Sequence, residues 1–390
     1  MKKDWRPEDA RREILRLCHA GLDPITFRMK VAAQLRRAIP FDAWCWPTAD
    51  PATGLVTGAV GEDIPPGKTQ RFFEIEYMEP DFTKFGDLAR QRGHVGALSR
   101  ATDGRLNRSL RYREIFGPAG IGEDLRAALV IEGSTWGYLA LHRDESAPFD
   151  DFEAAYLGQL VLHLAEGLRT SLLLRTVEHS ADEEAPGIVL LDAELRVASI
   201  SSAGEQWLAD IVSKQPMADG SLPDPVAAVI ANLLRLERDH REGVAVPRAR
   251  VPTQSGRWLV VHATRLSDPN ASDRAADPAT DWIGPIAIVL EPAHPHELMP
   301  LLLEAYALTK RESQITQLVL LGRATNRIAA DLGISPLTVQ QHLKGVFEKV
   351  GVHSKRELAA GIFARHYWPR VATGAALSAD GAFQDVPAEA

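Results

Sequence analysis

The sequence predicts a multidomain α+β protein in which two mixed α/β domains precede an all-α domain of four helices. Three observations carry this. At 390 residues the chain can form two or three domains, each with its own core. Two sets of short strand-like runs, interrupted by helical ones, occupy residues 40–291, whereas the stretch from 308 onward shows only helical patterns bounded by capping residues. Charge divides near the same place. Of a net −8, residues 301–370 hold ten Lys/Arg against five Asp/Glu, a local +5; residues 371–390 carry −3, which leaves −10 on the first 300. A short basic module behind an acidic body is expected where only the C-terminal part meets a polyanion.

Composition narrows the class. Hydrophobic residues at 45% and charged residues at 25% exclude a chain disordered throughout. No apolar run approaches the roughly 18 residues a membrane-spanning helix needs, and the opening MKKDWRPEDARRE is charged where a signal peptide would turn apolar. A cytoplasmic protein with no membrane partner is expected. Cys18 and Cys45, without a C-x-x-C, exclude a disulfide scaffold and a Cys-rich zinc site.

The first domain is placed at 1–178. A helical segment over Ile25–Ile39 leads into FDAWCWPTAD and PATGLVTGAV, punctuated by Pro and Gly as a hairpin requires. Residues Leu125–Ile131 and Trp136–His142 read as strands joined by a Glu132-Gly133-Ser134 turn. A long helix then runs from Phe152 through Tyr156, Leu160, Leu164 and Leu168 to Leu172, and HSADEEAPG closes it. This order, with its DDFEAAYLGQL exit helix, resembles a GAF domain. Its aromatic side chains, Trp44, Trp46, Phe73, Tyr77, Phe82 and Trp136 among them, are dense enough to line a pocket for a flat or apolar ligand, although core packing accounts for most of them.

The second domain is placed at 179–296. It reads strand Gly187–Leu191, strand Leu195–Ile200, helix Ala203–Ile211, helix Pro225–Arg238, then strands Val244–Val251, Arg257–Leu266 and Ile283–Glu291, with SDPNASDRAADPATD as an extended hairpin loop. Two strands, helices and three strands resemble a PAS domain, with Ser201 and Ser202 where PAS openings often carry Asn. EPAHPHE marks a linker.

The third domain, 297–370, is the most legible, and 371–390 reads as a disordered tail. Thr309-Lys310-Arg311-Glu312 is a capping box opening a helix with Ile315, Leu318 and Val319 on one face, ended by Gly322. A second helix, Thr325 to about Leu332, presents Ile328, Ala329 and Leu332, and Gly333 turns the chain. Ser335-Pro336 is an N-cap followed by Pro at the first helical position. The third helix buries Val339, Leu343, Val346, Phe347 and Val350 as one stripe and leaves Thr338, Gln340, Gln341, Lys344 and Glu348 largely off it. Ser354-Lys355-Arg356-Glu357 opens a fourth helix with Leu358, Ile362 and Phe363 inward. Two helices joined by a Gly turn make a helix-turn-helix. Gln can donate and accept at an adenine edge, and Lys can donate to guanine or to phosphate.

LTKRESQITQLVLLGRATNRIAADLGISPLTVQQHLKGVFEKVGVHSKREL resembles the LuxR-type helix-turn-helix over about 60 residues, Leu308 to Phe363. The resemblance implies a recognition helix over Pro336–Val350, base-reading positions at Gln340, Gln341 and Lys344, and phosphate contacts at Thr338, Lys349, Lys355 and Arg356 on double-stranded DNA. It also implies a homodimer formed through the fourth helix at Ala360, Gly361 and Ala364. Gln340 stands where the family often has Lys, which bears on the preferred DNA sequence.

Other motifs point less far. GPAGIG at 117–122 lacks the Lys-Ser/Thr of a phosphate loop, and Glu123-Asp124 would repel phosphate at a following helix, so it reads as a turn. His294 and His296 lack further ligands nearby, and His94, His142 and His163 read as surface or core histidines rather than haem ligands. Ser134 is out of register for a nucleophile elbow. No catalytic residue, metal site or cofactor is expected. The expected function is transcription regulation by DNA binding, with the upstream domains responding to a small ligand or partner. The alternative is a ligand or redox sensor acting through protein–protein contacts.

Overall fold

The computed structural model describes residues 7–62, 68–144, 148–174, 185–211, 222–240, 246–266, 285–293, 297, 306, 308–358, 376–377 and 383–384. The chain forms two units, 1–172 with 185–292, and 173–184 with 293–390. The expected linker histidines His294 and His296, the loop 267–281 and the dimer positions Ala360, Gly361 and Ala364 lie outside the described residues.

The first unit is mixed α+β with two antiparallel sheets. Helices α1 (Pro7–Cys18) and α2 (Pro24–Ala38) precede β1 (Ala43–Ala49) and β2 (Val56–Glu62). Asp23 caps α2 by accepting the Ile25 and Thr26 N–H groups at 3.1 Å, with Pro24 at the first helical position. Next come α3 (Thr69–Tyr77), α4 (Phe85–Arg90), β3 (Val95–Ala97), α5 (Leu98–Ala101), β4 (Glu123–Ile131), β5 (Ser134–Arg143) and α6 (Asp151–Leu174). The sheet order is β2-β1-β5-β4-β3. Ser134 belongs to the strand rather than the turn. Glu132 and Gly133 both have positive φ, 49° and 86°, so they alone make the two-residue turn, and Ser134 pairs directly with Ile131. GPAGIG opens with a single 3-10 turn, Gly117–Ala119, closed by Gly120 at φ 76°; a strand and not a helix follows it, and Glu123 and Asp124 are buried in β4.

Strands β6 (Gly187–Leu191) and β7 (Val197–Ile200), helices α7 (Ser202–Ile211) and α8 (Asp224–Arg238), and strands β8 (Arg248–Pro252), β9 (Trp258–Arg265) and β10 (Ile286–Pro292) build the second sheet. Its order, β7-β6-β10-β9-β8, repeats the spatial pattern of the first. Strand β7 starts two residues later than its sequence suggested. Leu195 takes φ 61°, and the Asp192 carboxylate accepts the Glu194 and Arg196 N–H groups at 3.0 and 2.8 Å, which holds a tight turn there.

Helix α8 joins the two sheets. Ala227, Ala228 and Ala231 pack with Val56 and Tyr138 of the first and with Phe73 of α3, while Val226, Val229, Ile230 and Leu233 pack with Leu191, Val251, Leu259 and Ile288 of the second. Small residues on one side allow close approach, and branched ones on the other fill the second core. Asp50, 2% exposed, accepts the Arg250 N–H at 2.8 Å and its guanidinium at 2.5 Å. Arg238 donates to the Met78 carbonyl.

A buried ionic cluster lies within the first sheet domain. Arg126 pairs with Glu76 at 2.9 Å and Asp124 at 2.7 Å, and Arg111 reaches Asp124 at 3.2 Å and Asp81 at 3.4 Å. Burial raises the Asp124 carboxyl, but Arg126 and Arg111 more than offset it and hold the group below its ordinary value. His142 lies 3.5 Å from Asp124, and burial pushes it down to about 4 against the pull of that carboxylate. Asp224, in the first turn of α8, is pushed up to about 6 by burial.

These two groups drive opposite pH trends. With its folded value below 6.5, His142 lets the unfolded chain take up a proton first, so the unit loses stability as pH falls from about 6.5 to about 4. Asp224, raised from 3.8, instead favours the folded state as pH falls from about 6 to about 4. Asp224→Asn should therefore make the unit more acid-sensitive than the parent over that window, and His142→Asn should make it less so. Melting temperatures at three pH values across the window check both, and a pH-independent offset for either variant would refute its assignment.

Among the described residues no helix is long and apolar enough to cross a membrane. Within 371–390, read from sequence as a tail, Ala376–Leu377 pairs antiparallel with Phe383–Gln384.

Candidate nucleic-acid interface

In the second unit, α9 (Lys310–Leu320), α10 (Thr325–Leu332) and α11 (Pro336–Val350) enclose a core of Leu308, Ile315, Val319, Ile328, Ala329, Val339, Leu343, Val346 and Leu358. The capping box is formed: the Thr309 hydroxyl accepts the Glu312 N–H at 3.3 Å, and the Glu312 carboxylate accepts the Thr309 N–H at 2.8 Å. Gly333 ends α10 at φ 63°, and Ser335 accepts the Thr338 N–H at 3.0 Å to start α11. Ser354 accepts the Glu357 N–H at 3.1 Å, but the Glu357 carboxylate takes the His353 N–H at 2.8 Å, so the second capping box closes one residue early. The fourth helix is described only to Leu358, so Ile362 and Phe363 lie outside the described residues.

This framework fixes the orientation of α11. Val339, Leu343 and Val346 are at most 3% exposed, while Gln340, Gln341, Lys344 and Glu348 are exposed. A groove of about 300 Å³ is lined by Thr325, Gln340, Leu343, Lys344, Phe347 and Lys355, bringing three of the expected contact residues together. Gln341 lies on the same exposed face of the helix. Thr338 is half-buried, its hydroxyl 2.8 Å from that of Ser335, within the cap itself. Arg356 is exposed. Lys355 donates to the Thr325 hydroxyl at 2.6 Å, at the start of α10. Thr325 was not among the expected contact residues; its signal was a helix start without a side-chain cap, since Ala324 holds the N-cap position.

Lys349 is tied into the fold. Its ammonium donates to Glu312 at 2.6 Å, across from α11 to α9. Burial raises the Glu312 carboxyl, but Lys349 and Thr309 hold it below its ordinary value. Gly345 marks this crossing, because a Cβ there would lie 2.7 Å from Glu312 Oε1. A glycine inside a 15-residue helix costs about 1 kcal/mol relative to alanine, and that local penalty was the readable sign of a close approach.

The expected aromatic pocket residues are spread over different cores. Phe73 and Tyr77 stack at 5.8 Å, in the cluster that includes Tyr138 and the alanines of α8. Trp46, fully buried on β1, meets Phe27 of α2 edge-on at 5.8 Å. Trp44 donates to Glu62 at 3.0 Å, Trp136 is 1% exposed, and Phe82 lies under the Arg108 guanidinium at 5.0 Å. Of the histidines, His94 faces the Leu88 carbonyl at 3.0 Å and His163 faces Glu166. No group of three or more metal-ligating side chains occurs among the described residues.

Residues 306–361 match the family model described as bacterial regulatory proteins, luxR family. Over 56 residues the chain is 46% identical to the transcriptional regulatory protein UhpA of Escherichia coli (strain K12), and equally to UhpA of Salmonella typhimurium. That match covers 14% of this chain and 29% of each relative, so the chain spans less than a third of their length. Among solved structures, the GAF domain of a phosphoenolpyruvate-protein phosphotransferase (ptsP) from Coxiella burnetii is 19% identical, covering 42% of this chain and 92% of that one, at a TM-score of 0.32. Escherichia coli SdiA is 11% identical, covering 92% of this chain and 96% of that one, at a TM-score of 0.31. Both structural likenesses are loose. Over residues 306–361 the sequence match and the cap-bounded helices agree, and that segment belongs to the luxR family of bacterial regulatory proteins.

Proposed function

We propose that the protein is a sequence-specific regulator of transcription, acting in the cytoplasm as a homodimer on double-stranded DNA, with an N-terminal unit that answers to a small ligand or partner. The observation that carries this is the exposed Gln340, Gln341 and Lys344 face of α11, turned away from its buried Val339 and Val346. Such a face can enter a major groove while Lys355 and Arg356 meet the backbone. Residues 1–178 and 179–296 are read as GAF-like and PAS-like sensor domains. The recurrence of one strand order in both sheets supports that reading. A ligand or partner would act by favouring one arrangement of this unit, changing whether two C-terminal modules reach their half-sites together. Sensing through a cysteine thiolate is disfavoured, since burial pushes both Cys18 and Cys45 up to about 12.

Protection of a defined DNA segment, with log K falling steeply against log salt, is the expected result. Gln341→Ala should relax preference at one base pair with little change in that slope, and Lys355→Ala should weaken all sequences alike and lower the slope by about one. Lys349→Ala should mainly lower the melting temperature, by an amount equivalent to about 1 kcal/mol for a half-exposed pair. Equal binding to cognate and scrambled duplexes would overturn sequence-specific reading.

A further inference from the structure

Leu337, the second residue of α11, is 65% exposed. Isolated exposed leucines are common and need no explanation. This one stands apart by position. Counting from it, Gln340, Gln341 and Lys344 are i+3, i+4 and i+7, so all four share one helix face, opposite Val339, Leu343 and Val346. An apolar side chain therefore sits within the hydrogen-bonding face, at the N-terminal end, the end of a recognition helix that reaches base edges. Glu348 is exposed on this face toward the C-terminus, where its carboxylate repels phosphate, whereas Lys344, Lys355 and Arg356 supply positive charge.

A major groove offers one apolar group, the 5-methyl of thymine. We propose that Leu337 is a specificity-determining residue that selects a thymine in each half-site by packing against that methyl. This rests on the DNA-reading role of α11, and adds to it a contact that no hydrogen-bonding residue can make. The neighbouring Gln340 and Gln341 then read adjoining base edges, so the leucine contact sets one position of the site independently of them.

The test uses the full chain. Duplexes are selected from a randomised pool, and each thymine of the selected sequence is replaced in turn by uracil, which removes the methyl and keeps the hydrogen-bonding edge. At one position per half-site, uracil should weaken binding about fourfold, as expected for one buried methyl-sized group. Leu337→Ala should bind the thymine and uracil forms equally, and Leu337→Met, which keeps an apolar reach, should retain the penalty. Because the side chain is exposed, both variants should melt with the parent. A uracil penalty that is absent everywhere, or unchanged in Leu337→Ala, overturns the assignment while leaving DNA reading intact. Selection that enriches no sequence at all would remove the DNA-reading role itself, and this proposal with it.

Discussion

Arg126→Ala should destabilise the N-terminal unit by about 3–5 kcal/mol, the cost of stranding buried carboxylates after one partner of an ion pair is removed. Arg126 is 1% exposed and lies between Glu76 and Asp124, themselves 3% and 0% exposed. Its guanidinium also lies 4.3 Å from the centre of the Phe85 ring, so alanine forfeits packing as well as charge. Glu76 would still accept the Phe85 N–H, but nothing comparable would remain opposite its second oxygen. Pairing Arg126→Met with Glu76→Gln should recover part of the loss, because the double change removes both charges together. Denaturant titration of both variants measures this, and a loss below about 1 kcal/mol for Arg126→Ala would show that Arg126 is not what neutralises the cluster.

Val346→Asp should unfold the C-terminal helices while sparing the N-terminal unit. Val346 is fully buried in a core of apolar side chains that includes Ile315, Val339 and Leu343. An unpaired polar group in such a site costs roughly 2–7 kcal/mol, and a core this small supplies only about 3–5 kcal/mol in total. Limited proteolysis should then cut after residue 308 and leave a resistant N-terminal fragment, with DNA protection lost. Val346→Ala, which only empties space, should remain folded. Full protease resistance of the aspartate variant would mean that the stripe on α11 is not the core of this unit.

The C-terminal helices were legible because their ends are written in local chemistry. Thr309, Glu312, Gly333, Ser335 and Pro336 each act within a few residues, so sequence spacing alone places them. Contacts between distant segments were not legible in the same way. The resemblance implies a phosphate contact for Lys349, but its pairing with Glu312, 37 residues earlier, could not be read from local spacing. The aromatic residues of the first domain read as dense enough to line a pocket, with core packing accounting for most, but composition does not say which face of a strand or helix each occupies. Trp46 and Phe73 in fact meet different partners, Phe27 and Tyr77. Helix α8 was found within a residue of its boundaries, yet that Ala227, Ala228 and Ala231 serve one sheet while Val229 and Leu233 serve the other depends on where both sheets lie.

Helix α8 also imposes an order on biosynthesis. Strand β5, which completes the first sheet, ends at Arg143, but the alanine face that packs on Phe73 and Tyr138 is made only when α8 emerges, ending at Arg238. At translation rates of about 5–20 residues per second, the intervening roughly 95 residues take on the order of 5–20 s. For that interval the nascent first domain presents an aromatic surface to the crowded cell, a window in which a chaperone can bind it and in which a stalled ribosome leaves it open to aggregation.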